Sequence, residues 1–182
     1  MNAAVTVFFL ILRVFSLYFL AVSLFGLCRR RTPEPATRLR RFAVLIAARN
    51  EESCIAGLIE SLRAQHYPPE LVDIWVLPNN CTDRTAEAAR RAGAQVLEMP
   101  ASVRSKGVAL HTAAKALLRS ARNYDAFCVF DADNEADPAF LSEMNRALDR
   151  TAIVKSRILA KNRTQAGISA CYEIYFCSCL LY

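Results

Sequence analysis

The stretch "FAVLIAARNEE", Phe42 to Glu52, decides the fold. Seven apolar residues run without a break and stop at a charged, polar cluster. Strict alternation would mark a strand with one wet face, whereas an unbroken run of this length reads as a strand buried on both faces, as in parallel sheets. Similar runs recur in "LVDIWVL" (Leu71 to Leu77) and "DAFCVFDAD" (Asp125 to Asp133), with a shorter "AQVLEM" (Ala94 to Met99) between them. Helix signals separate the runs. Asn50 or Ser53 is placed to cap a helix to about Gln65, with Ile55, Leu58, Ile59 and Leu62 at helical spacing. Thr82 or Asp83 can cap a second helix from Arg84 to Ala92, which Gly93 ends. A third is expected from about Lys106 to Arg122, and a fourth in "DPAFLSEMNRALD", with Asp137 as cap and Pro138 near the first turn. Strands alternating with helices predict an α/β fold, a parallel-rich sheet covered on both faces.

In such sheets ligands bind beyond the carboxyl ends of the strands. "ARNEE", "PNNCTD" and "DAD" each follow a strand, so the topology gathers them on one rim. Asp131 and Asp133, two residues apart, can share a hard divalent cation, Mg²⁺ or Mn²⁺. Equally, one of them can hold the metal while the other takes a ribose or sugar hydroxyl. A nucleotide diphosphate also calls for positive charge and backbone donors. Arg104 and Lys106, in "VRSKG" ahead of a helix, offer both. Neither a GxGxxG nor a GxxxxGKS pattern occurs, which argues against a dinucleotide oxidoreductase or a P-loop NTPase.

The 182 residues hold one domain and an appendage. From Ala3 to Cys28 the chain is apolar except for Arg13, and a run of about 20 residues suffices to span a bilayer. A signal peptide would carry its basic residues before the apolar run; here they come after it. The expected organisation is a transmembrane anchor over residues 1–28, a basic juxtamembrane linker over 29–41 and a donor-binding domain over 42–182. Arg29, Arg30, Arg31, Arg38, Arg40 and Arg41 account for much of the net charge of +6. They predict a single-pass protein of the cell membrane whose domain is cytoplasmic, with anionic lipid headgroups as partners. The cluster lacks interleaved aromatics, so nucleic acid is not expected. Seven cysteines form no CxxC pair and point to reduced, packed thiols.

The order of "FAVLIAARNEE", "VLPNNCTDRTAEAARRAGAQV", "RSKGVALHTA" and "DAFCVFDADNEADPAFL" resembles the family 2 glycosyltransferases, whose GT-A fold binds nucleotide sugars. The likeness runs in order from residue 42 to about 165, where "VKSRILAKN" looks like the strand that follows the metal site. It implies that Ala48, Arg49, Asn50 and Glu51 line the nucleotide pocket, with Glu51 near the ribose. Asn79 stands where many members have an aspartate that accepts from uracil N3–H, and its neutral side-chain oxygen would accept more weakly. Asp83 would pin the loop or helix start, Lys106 would meet the diphosphate, and Asp131 and Asp133 would be the metal-binding DxD pair, Asp133 ahead of Asp131, which would also meet the nucleotide sugar. The implied reaction is inverting transfer from a nucleotide-diphosphate sugar, a UDP-sugar by preference, to a saccharide or lipid acceptor. Members of the family continue through an acceptor loop and a catalytic carboxylate, and no residue here matches that base; Glu135 and Glu173 are the next candidates. The expectation is therefore a truncated chain that binds nucleotide weakly and transfers no sugar. A nucleotide-sugar-binding module without transfer activity and a nucleotidyltransferase are the rival readings, though the latter wants a Gly-rich basic loop where "AARNEES" stands.

Overall fold

The computed structural model describes residues 3–26 and 35–156. These residues fall into two compact units, divided between Glu34 and Pro35.

In the first unit, α1 (Ala3–Gly26) is a single helix of 24 residues. At ~1.5 Å per residue it is longer than a bilayer's hydrocarbon core of about 30 Å. Its stretch Val5–Leu24 has a mean hydropathy of 2.3, and none of its residues is buried. By length and composition it is able to cross a membrane. Ser23, a polar residue on this helix, donates its hydroxyl to the carbonyl of Phe19 at 2.7 Å and so needs no outside partner.

The second unit is built on four parallel strands: β1 (Phe42–Ala48), β2 (Val72–Pro78), β3 (Gln95–Val96) and β4 (Ala126–Asp131). Their order is β3-β2-β1-β4. The chain thus builds outward from β1 in one direction, then returns to pair β4 on β1's other edge. The continuous apolar run is explained by burial on both faces. Val44, Ile46 and Ala48 enter a core with α2 (Ile55–Arg63) and α3 (Thr85–Arg91). Ala43 and Leu45 point the other way, into a core with α4 (Lys106–Leu118). A third cluster joins Phe42 and Tyr67 to Leu141 of α5 (Phe140–Ala147).

Several boundaries differ from expectation, each for a local reason. Only Gln95 and Val96 of "AQVLEM" pair with β2. Beyond them Leu97 and Met99 turn onto the α4 side of the core, and Glu98 takes an ion pair with Arg90. Helix α4 ends at Leu118 rather than Arg122, because Ser120 donates both its N–H and its hydroxyl to the Leu117 carbonyl. Neither Asn50 nor Ser53 caps α2, whose N-cap position is Cys54 without a side-chain capping bond. Arg84 takes the N-cap position of α3, also without a side-chain bond. Asp137 does bond the Ala139 N–H, at 2.8 Å.

The described part of the basic segment is fastened to the domain. Arg40 forms an ion pair with Asp149 at 2.8 Å and donates to the carbonyls of Asn145, in the last turn of α5, and of Leu148 just past it. Arg41 pairs with Asp73 and Arg38 with Asp125. These three arginines serve the fold's own acids. Arg29 to Arg31, "VKSRILAKN" beyond Ser156 and Glu173 lie outside the described residues.

Leu58 on α2 is 1% exposed in the larger core. Leu58→Ala should lower the unfolding free energy by about 2–5 kcal/mol in urea titrations. A change below about 1 kcal/mol would place Leu58 outside the packed core.

Candidate functional site

The chain reverses direction between β1 and β4, so the rim beyond their carboxyl ends is a topological switch point. Register sets its floor: Ala47 lies opposite Leu77 on one side and Asp131 on the other.

On the β1 side, Ala48 is 2% exposed and its carbonyl accepts from the Asn79 N–H at 2.9 Å and the Cys81 thiol at 3.5 Å. Arg49 is exposed. Asn50 takes a left-handed backbone conformation, φ 58°, and its side-chain oxygen accepts from the Thr82 N–H at 2.8 Å. It therefore ties the loop after β1 to the loop after β2 instead of capping α2. A second tie runs through the fully buried Thr85. The Glu51 N–H donates to the Thr85 hydroxyl oxygen at 2.9 Å, and that hydroxyl donates to Asp83. The other Asp83 oxygen accepts from the Glu52 N–H at 3.1 Å, and Glu52 pairs with Arg84 at 3.0 Å. Asp83 thus holds two loops together as well as the start of α3. The bond from the Thr85 hydroxyl, above all, holds its carboxyl below the usual carboxylate range.

Glu51 turns its carboxylate toward the Cys54 thiol, which donates to it at 3.0 Å. Burial first, then that bond and the charges of Glu51 and Asp133, push this thiol up to about 11. Cys54 is thus a neutral thiol at physiological pH. Cys54, Cys81 and Cys128 are all unbridged.

On the β4 side, Asp131 and Asp133 are exposed, with buried Ala132 between them. The Lys106 ammonium, on the first residue of α4, forms an ion pair with Asp131. That helix is capped by Ser105, whose side chain accepts from the Val108 N–H at 3.3 Å. Asn79, 8% exposed, sits past the end of β2, and its side-chain oxygen accepts from Asn80 at 3.0 Å.

Of the residues expected from sequence, Glu51 and Asp83 meet through Thr85, Asn50 bonds Thr82, and Lys106 pairs with Asp131. Thr85, Asn80 and Gln65 were not anticipated. Gln65 accepts the Leu141 N–H at 2.9 Å and donates to the Asp137 carbonyl at 2.7 Å, fixing the segment that follows Asp133. Its role depends on a partner 76 positions away, for which local sequence holds no signal. The repeated asparagine of "PNN" was a visible but unused cue.

Among the described residues no three His, Cys, Asp or Glu side chains are grouped to hold a metal alone. Two oxygen ligands beside a lysine instead suit Mg²⁺ or Mn²⁺, which take one or two carboxylates and complete their shell with phosphate and water.

A reversing parallel α/β sheet with polar groups gathered at its switch point is an architecture that binds ligands beyond the carboxyl ends of its strands. Residues 43–173 match the family described as glycosyl transferase family 2, and the chain belongs to it. It is 28% identical over 108 residues to the probable glycosyltransferase YdaM of Bacillus subtilis (strain 168), covering 56% of this chain and 24% of YdaM. It is 40% identical over 43 residues to the beta-monoglucosyldiacylglycerol synthase of Nostoc sp., covering 24% of this chain and 9% of that protein. The chain thus spans less than a quarter of the length of either curated relative. In fold it is similar to the mannosyltransferase PcManGT of Pyrobaculum calidifontis, solved with GDP-Man and Mn²⁺. The TM-score is 0.58 at 23% identity, over 74% of this chain and 40% of that one. Staphylococcus aureus TarS, solved with UDP, is similar at a TM-score of 0.51 and 21% identity, over 60% of this chain and 32% of that one. These likenesses establish the GT-A-type fold.

Because Asp83 is depressed in the folded state, its contribution is fully present above the unfolded carboxylate value and is lost as pH falls through the folded value. Urea unfolding measured from about pH 6 to about pH 3 should show stability falling on the acid side. Asp83→Asn should be less stable at neutral pH and show a shallower acid decline. Parallel curves for the two proteins would remove Asp83 from the clasp.

Proposed function

We propose that this chain is the donor-binding part of a membrane-anchored glycosyltransferase that takes a nucleotide-diphosphate sugar with a divalent metal. The observation that carries the reading is the Lys106–Asp131 pair at the switch-point rim. Both side chains are exposed, 46% and 60%. An exposed ion pair is worth about 1 kcal/mol or less, so a ligand can open it cheaply. A metal-bound diphosphate offers each partner a better match, with the phosphate oxygens toward Lys106 and the cation toward Asp131. Asp133, exposed one residue beyond, would complete the metal's protein ligands. When bound, the metal would neutralise charge building on the leaving diphosphate.

The chain's own residues would bind and orient. The α4 N-terminus would add backbone N–H groups and the positive end of its dipole beside the phosphates. Ala48 and Arg49 would border the nucleoside, with Asn50 and Glu51 held in place by the clasp to Thr82, Thr85 and Asp83. The donor read most simply is a UDP-sugar, and the acceptor a saccharide or lipid, with inversion at the sugar carbon. Helix α1 supports anchoring by length and composition. Arginines following it favour a cytoplasmic domain.

Two measurements test the reading. UDP affinity, measured by calorimetry on the detergent-solubilised protein, should rise at least about tenfold on adding Mn²⁺ or Mg²⁺. Asp133→Asn should abolish that rise and leave the circular dichroism spectrum unchanged. Binding that is indifferent to metal in the natural sequence would contradict the assignment. In cells, external protease should leave the domain over residues 35–156 intact, whereas it should cut the domain in inverted membranes. Digestion from outside the cell would reverse the orientation.

A further inference from the structure

The turn that carries the two rim carboxylates is closed by its own backbone. The Asn134 N–H donates to the Asp131 carbonyl at 3.1 Å, so Ala132 and Asp133 are the middle residues of a β-turn. Asp133 is exposed, while Ala132 and Ala136 on either side of it are 4% and 6% exposed, in the core shared with α2. One bond of this kind closes a turn but does not fix where the turn stands on the rim.

Ser61 in the last half of α2, and Gln65 one helical turn further on, supply that fix. The Ser61 hydroxyl donates its one proton to the Leu58 carbonyl at 2.8 Å. Toward the loop it can only accept, and the Ala136 N–H donates to it at 3.0 Å. Gln65 is equally committed. Its side-chain oxygen accepts from the Leu141 N–H at 2.9 Å, and its amide donates to the carbonyls of Asp137 at 2.7 Å and Ser61 at 3.2 Å. The backbone adds a further tie, from the His66 N–H to the Pro138 carbonyl at 2.7 Å. Ser61, Gln65 and His66 thus meet Ala136, Asp137 and Pro138 in the same order along both segments. The start of α2 follows directly on Glu51 and Glu52, which bond Thr85 and Asp83. One helix therefore joins the loop after β1 to the loop that bears Asp133.

We propose that Ser61 is a positioning residue for the metal: by holding the Ala136 N–H it sets the Asp131–Asn134 turn and presents Asp133 to a divalent cation. Gln65 secures the same loop one residue further on. The inference rests on the metal–diphosphate reading above. The benefit is preorganisation, since a carboxylate already held in place loses little freedom when the cation arrives.

Calorimetry of UDP with and without Mn²⁺ reads this coupling as a ratio of affinities. In the natural sequence the metal should strengthen UDP binding at least about tenfold, and Ser61→Ala should reduce that gain to about threefold or less. Its metal-free UDP affinity should stay within about twofold of the natural value, because the nucleotide's other contacts are untouched. Ser61→Thr keeps a hydroxyl able to bond the preceding turn, and should restore the full gain. Gln65→Met, which keeps the side chain's length but loses both kinds of bond, should lower the gain in the same way and gives a second reading if Ser61→Ala does not fold. A merely structural Ser61 would lower the melting temperature and leave the ratio of affinities unchanged, which would overturn the positioning role while leaving the metal site standing. Equal loss of UDP affinity with and without Mn²⁺ would overturn it too. No gain from Mn²⁺ in the natural sequence would overturn the metal–diphosphate reading and this inference together.

Discussion

Strand β1 has a parallel partner on each edge, and the positions of the rim groups follow from that double pairing. Its register places Ala47 between Leu77 and Asp131, and Ala48 opposite Pro78. Residues just past those positions must therefore come together whatever their separation in sequence. The same strand sends alternate side chains into separate cores, so helices are required on both faces. A one-residue slip would exchange the two sets and move Asp131 off the rim.

The two ends of the sheet use charge differently. At the amino end, the Asp73 carboxylate accepts from Arg41, Arg122, Gln95 and Tyr124, joining the starts of all four strands. With its side chain only 12% exposed, that carboxylate is consumed by structure. At the carboxyl end, Lys106 and Asp131 pair in the open and Asp133 is exposed. Asp73 has no oxygen left for a ligand, whereas Asp131 and Asp133 keep theirs open at the rim of the proposed site.

Sequence made the core of this arrangement legible because β1, β2 and β4 are long apolar runs ended by polar clusters. The short β3 was overestimated, since an edge strand gains less from pairing, and Leu97 and Met99 found burial elsewhere. Helix caps were the least legible feature. Asn50 carries capping chemistry but a tertiary partner claimed it, Asp83 serves Glu52 as well as the start of α3, and Gln65 serves α5 from the loop after α2. The basic segment illustrates the same limit. Charge density gives no sign that Arg38, Arg40 and Arg41 are bonded to Asp125, Asp149 and Asp73.

The central claim is that the carboxyl rim, and no other face of the sheet, receives a nucleotide diphosphate with its metal. Amide chemical shifts followed while UDP and Mg²⁺ are titrated together into isotope-labelled protein would locate the ligand directly. The predicted result is large, saturable shifts at Ala132, Asn134, Gly107 and Asn79, with those of Ala126, Gln95 and Asp73 at the opposite end unmoved. Shifts concentrated around Asp73, or none at Ala132 and Gly107 under saturating ligand, would contradict it.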